Sequence, residues 1–112
     1  SEGASRPASV PQDLPNVENA TNFSWFNISG SGVLSYEILN DNDYQKACSK
    51  QLELLTQAGW TKSDSYEMDV KKAMIRSLTK PGYTLMITCA DNTEEGSLDK
   101  KISITLNTGK TN

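Results

Sequence analysis

Residues 42–60 read NDYQKACSKQLELLTQAGW, and their spacing decides the fold. Tyr44, Ala47, Cys48, Gln51, Leu52 and Leu55 recur every three or four residues, which puts one largely apolar stripe on an α-helix. Asn42 is a competent N-cap, and Gln45, three residues on, can reach back to it as in a capping box. Gly59 stands where a left-handed residue would end the helix, and Trp60 follows where it can fold back on Leu55. About sixteen helical residues with a single apolar stripe must lie against something, and the flanking sequence supplies a sheet.

On the N-terminal side, Val33–Leu39 alternates. Leu34, Tyr36 and Ile38 share one face, with Ser35 and Glu37 on the other, as in a half-buried strand. Before it, Asn22–Ile28 (NFSWFNI) is a short aromatic run closed by the turn formers Ser29-Gly30-Ser31-Gly32. On the C-terminal side, a strand-like run ends near Met74–Thr79, and Lys80-Pro81-Gly82-Tyr83 has the chemistry of a type II turn. Leu85, Ile87 and Cys89 then share a face. A loop over Asp91–Ser97 leads to Lys101–Asn107, where Ile102, Ile104 and Leu106 alternate with Ser103 and Thr105. The expected fold class is α+β, one helix on a four- to five-stranded antiparallel sheet. In that register Arg76 shares a face with Leu78 and Ile87, so its guanidinium must reach the sheet margin, or a bulge must shift the register.

Residues 1–15 (SEGASRPASVPQDLP) carry three prolines and no periodicity, a composition that buries too little to offset its ordering entropy. Residues 1–17 are therefore expected to be a flexible linker and 18–112 the single α+β domain. The chain starts on serine, as expected of a processed or trimmed chain, and a linker of this kind commonly follows a lipid or membrane anchor, with an ordinary frayed terminus as the equal alternative. Eleven basic against fourteen acidic residues give a net charge of −3, which argues against a nucleic-acid partner. Lys71-Lys72 and Lys100-Lys101 read as solvated strand ends rather than a phosphate site.

The chain has two cysteines and no histidine. A reactive thiol lacks an activating neighbour, and zinc lacks ligands. Cys48 on the helix stripe and Cys89 on the inward strand face are therefore read as a disulfide, with two buried thiols as the alternative. A disulfide implies an oxidising compartment. Calcium readings fail at both acidic loops: from Asp41 the sixth and twelfth positions are Lys46 and Leu52, and from Asp91 the twelfth is Ile102. Gly109-Lys110-Thr111 lacks the earlier glycine of a phosphate loop, since Ile104 stands there. No catalytic residue, metal or cofactor is expected, and the chain is not read as an enzyme. Phe23, Trp25 and Phe26 are the candidate interaction residues, with a strand that packs them on the core as the other and more ordinary reading. They cannot all be buried on one face, because Trp25 and Phe26 point opposite ways in a strand.

Pro11-Gln12-Asp13-Leu14-Pro15, Glu18-Asn19-Ala20-Thr21, Leu54-Leu55-Thr56-Gln57-Ala58-Gly59-Trp60 and Ile102-Ser103-Ile104-Thr105-Leu106 together resemble small bacterial exported lipoproteins. The similarity implies a helix-grip-like sheet of the type found in an outer-membrane assembly lipoprotein. It also implies export to the periplasm or outer surface, with membrane attachment only through an N-terminal anchor missing from this chain. Two departures stand out: the helix carries a cysteine, and no anchoring cysteine precedes it. The functional expectation is a non-enzymatic cell-envelope interaction module with an envelope protein partner. The alternative is a carrier of a small apolar ligand between helix and sheet.

Overall fold

The computed structural model describes residues 10–14 and 19–111. Its elements run β1 (Ala20–Ile28), β2 (Ser31–Leu39), α1 (Tyr44–Gln57), β3 (Thr61–Val70), β4 (Ala73–Lys80), β5 (Tyr83–Asp91) and β6 (Lys101–Lys110). All six strands form one sheet in the order β1-β2-β6-β5-β4-β3, and every neighbouring pair is antiparallel. The hairpin β1–β2 and the meander β3–β6 are sewn together where β6 returns to β2. The connection from β2 to the far edge is α1, which packs on the inner face chiefly over β5 and β4.

The expected four- to five-stranded sheet is corrected to six strands. The additional strand is β3, whose sequence TKSDSYEMDV hides it. An edge strand wets both faces, and a bulge further breaks the alternation: Ser63 pairs with Ser77, Glu67 pairs with Arg76, and Asp64–Tyr66 are extra. Ser77 closes this bulge, its buried hydroxyl set against the carbonyl oxygens of Ser63 (3.2 Å) and Tyr66 (3.1 Å). The β3–β4 turn is Lys71-Lys72, with Lys72 at φ 66°, so the doublet is a hairpin turn without the glycine or asparagine that would announce one.

Each turn that sequence chemistry did announce has the matching backbone. Ser29 and Gly30 both take positive φ (51° and 85°), the type I′ signature of a two-residue hairpin. Gly82 sits at φ 84°, as the third residue of a type II turn requires. Asp43, not Asn42, caps the helix, its carboxylate accepting from the Lys46 amide at 3.1 Å. Gly59 (φ 107°) ends it in a Schellman arrangement, with Trp60 N donating to Leu55 O (3.0 Å) and Gly59 N to Thr56 O (3.2 Å).

The core lies between α1 and the inner sheet face. Leu34, Tyr36, Ile38, Ile102, Ile104, Leu106, Leu85, Ile87, Cys89 and Leu78 fill it from the strands, and Ala47, Cys48 and Leu55 from the helix. Six strands make a sheet about 25 Å wide, and a helix with its side chains covers only about 10–12 Å. The remainder needs other cover. Val10 and Leu14 are both 3% exposed, Phe23 and Trp60 are also buried, and Trp25 packs against the cluster. The stretch expected as linker therefore includes residues docked on the domain, while residues 1–9 and 15–17 lie outside the described ones.

Cys48 and Cys89 form a disulfide, both fully buried, with Cα atoms 5.7 Å apart. Beside it Tyr36 Oη donates to Gln51 Oε1, which satisfies the one polar residue on the helix stripe. Closing a loop across 41 residues of separation stabilises the fold by about 4 kcal/mol on the chain-entropy model. The intact chain should be two mass units lighter than the reduced one. Reduction in mild denaturant should lower the melting temperature by many degrees, since ~1 kcal/mol shifts a domain of this size several degrees. An unchanged melting curve on verified reduction would overturn the stabilising role.

Candidate interaction surface

β1 carries the three aromatics, and the sheet divides them. A bulge sets both Asn22 and Phe23 opposite Tyr36, with Asn22 at φ 57°. Phe23 is thereby turned inward, its ring centroid 5.1 Å from that of Tyr36. Trp25 pairs with Leu34 on the same inner face and its ring lies across Gly32, where an added Cβ would come within 2.5 Å of it. Phe26 pairs with Val33 on the opposite, outer face and is 62% exposed. Ile28, two residues on, is 57% exposed on that same face. Sequence parity separates Trp25 from Phe26. Which side meets the core follows only from the sheet. Ile28 was not singled out from sequence, although its place two residues beyond Phe26 marks it.

The outer face between the edges is a field of small polar side chains. Ser35, Thr105 and Thr88 stand in one cross-strand row, and Glu37 and Ser103 in the next. A trough of about 400 Å³ crosses it, lined by Ser65, Tyr66, Ser77, Met86, Asn107 and Gly109 among others. The two edges differ in charge. β3 carries Lys62, Asp64, Glu67 and Asp69, whereas β1 carries no charge and no proline. The acids of β3 also settle Arg76. It does occupy an inner-face register position opposite Ile87, and its guanidinium reaches Asp69 (2.9 Å) and Glu67 (3.7 Å) at the sheet margin.

Carrying an apolar ligand between helix and sheet would need space there. That layer holds the disulfide and the Tyr36–Gln51 pair, and two cavities that touch α1 lie at its flanks. One is lined by Ser49, Leu52, Glu53, Thr56 and Lys62; the other opens at the margin between α1 and β2, lined by Ile38, Ala47 and Gln51 from the core side and by Asp41, Lys46 and Lys50 from the solvent side. Among the described residues no group of three or more His, Cys, Asp or Glu side chains is placed to hold a metal ion. The acidic loops use their oxygens locally: Asp41 Oδ1 accepts from Asp43 N (2.9 Å) and Asp91 Oδ1 from Thr93 N (3.0 Å). No helix among the described residues is long and apolar enough to cross a membrane.

A second cluster binds the N-terminal segment to the domain. Trp60 Nε1 donates to Asp13 O (2.9 Å), and Lys80 pairs with the Asp13 carboxylate. The Lys80 ammonium lies 5.0 Å from the Trp60 ring centroid and 5.6 Å from that of Tyr83. The cation sites that two aromatic rings can offer are here taken by the protein's own lysine.

Trp60→Phe keeps an aromatic ring but loses the indole donor and part of the buried ring volume, so stability should fall by at least about 1 kcal/mol. Amide exchange at Leu14, whose N–H bonds Pro11 O at 3.2 Å, should accelerate first. Exchange unchanged at Leu14 would show that the segment docks without this bond. The hydrogen bonds from Thr93, side chain first and then backbone, hold the Asp91 carboxyl below its ordinary value of 3.8, with Lys72 adding to the effect. The stabilisation is therefore complete above pH 3.8 and disappears as pH falls through the lower folded value. A carboxyl NMR titration should place Asp91 below 3.8, and the shift should shrink but not vanish in Thr93→Ala, which loses the side-chain bond and keeps the backbone one.

Compared with known proteins, the chain matches no family model, no curated protein and no solved structure.

Proposed function

We propose that this chain is a non-enzymatic interaction module of the cell envelope, the soluble part of an exported lipoprotein, which engages a protein partner through β1. One observation carries the reading: an uncharged edge strand displays Phe26 and Ile28 on the outer face at 62% and 57% exposure. Large apolar side chains beside an open sheet edge are the material of strand-addition interfaces, where main-chain bonds supply affinity and alternate side chains supply selectivity. Support for export comes from the buried disulfide, a bond that persists in oxidising compartments. Support for a non-enzymatic role comes from the lack of histidine in a chain this small.

Phe26→Lys is the informative variant, because Phe26 is on the surface, whereas Trp25 packs on Gly32 and its loss would disturb the fold. Wild type and Phe26→Lys, shown equally folded by melting curve and disulfide content, serve as baits in envelope extracts. The wild type should retain a partner that the variant loses. Identical retained sets would remove β1 as the contact surface.

A further inference from the structure

We propose that the partner strand for β1 is β1 of a second copy, paired antiparallel about a two-fold axis at Phe26. This rests on the reading of β1 as the interaction edge and names its occupant. The regular part of β1 lies between the bulge, which ends at Ser24, and the turn that begins at Ser29, so the pairable stretch is Ser24–Ile28. Its midpoint is Phe26. Antiparallel self-pairing about that point uses the whole stretch: Phe26 faces Phe26 of the second copy, and Ser24 faces Ile28. Every other register shortens the overlap or runs it into the bulge.

The ladder geometry agrees. A type I′ two-residue turn closes on a hydrogen-bonded pair, here Ile28 and Ser31, so Ile28, Phe26 and Ser24 direct their backbone groups toward β2. Trp25 and Asn27 direct theirs outward. In the two-fold register Trp25 of one copy opposes Asn27 of the other, and these pairs exchange backbone hydrogen bonds reciprocally. The Phe26 pair is then a non-hydrogen-bonded one, the kind in which side chains stand closest.

Three further features favour a copy as the occupant. A two-fold axis normal to the sheet keeps both outer faces on one side, so the exposed Phe26 and Ile28 of the two chains merge into one apolar patch and cover each other. β1 has no charge, so the self-contact brings no like charges together although the chain carries −3 overall. The Trp25 ring lies back over Gly32, toward β2, and among the described residues no strand pairs with the outer edge of β1. The contact is short, so the dimer is weak and depends on concentration.

Sedimentation velocity from low micromolar to near-millimolar protein tests this, alongside Phe26→Lys and a mixture of two single variants, Ser24→Cys and Ile28→Cys. Wild type should shift toward dimer with concentration, and Phe26→Lys should weaken that by roughly tenfold, since it replaces an aromatic pair with two like charges. Under mild oxidation the mixture should cross-link Ser24→Cys to Ile28→Cys chains faster than either variant cross-links to itself, with Cys48–Cys89 intact by mass. A monomeric wild type over the whole range, a dimer indifferent to Phe26→Lys, or equal cross-linking in the unmixed samples would each overturn self-pairing. A monomeric wild type that still loses an envelope partner on Phe26→Lys would overturn this inference and leave the wider interaction reading standing.

Discussion

The Cys48–Cys89 bond is the constraint on which the rest of the structure depends. It fixes the N-terminal half of α1 to β5, one of the two central strands, and both sulfurs are sealed from water. A fourteen-residue helix is marginal by itself and holds its shape through packing. Here the covalent link sets where along the sheet that packing occurs. The Tyr36–Gln51 bond, one turn further along the helix, then fixes its rotation against β2. With position and rotation set, Leu55 and the Schellman turn deliver Trp60 to the end of the sheet where Asp13 and Lys80 meet it.

Sheet width explains the second half of the architecture. One helix cannot shield six strands, and the inner face is completed by material that carries no regular pattern: Val10 and Leu14 from the segment ahead of β1, and Phe23 and Trp25 from β1 itself. The aromatics of β1 are thus shared between two tasks. Those at odd positions roof the part of the sheet that α1 does not reach, and Phe26 faces outward. Arg76 and Lys80 show the complementary rule for charge on the inner face. Each stands near an edge or an end of the sheet, where acids from β3 or from the N-terminal segment can reach it.

Periodicity made the helix, β2, β5 and β6 legible, and turn chemistry made the breaks at Gly59 and Pro81-Gly82 legible, because each of these signals is local. β3 was not legible: both of its faces are wet, Asp64–Tyr66 interrupt its alternation, and Lys71-Lys72 turns without a turn former. Asn42 and Asp43 are both cap-competent, and the choice between them depends on the path of the chain leaving β2. Val10 and Leu14 are isolated apolar residues in a proline-rich stretch, and only a sheet too wide for its helix gives them a place. For the candidate surface, the opposition of Trp25 and Phe26 follows from strand parity, but the outward side follows only from β6, which pairs with β2 more than sixty residues later in the chain.

The difference between the two sheet edges has a consequence for the size of any assembly. β3 is charged and bulged, and strand addition there would set an incoming backbone against Asp64, Glu67 and Asp69. β1 is uncharged, and its bulge at Asn22–Phe23 leaves the regular stretch Ser24–Ile28 unguarded. A sheet with two open edges can be extended without limit, chain upon chain, as a fibre; a sheet with one open edge has a valence of one. Its unsatisfied backbone can be capped once, and the capped object has no further place to grow.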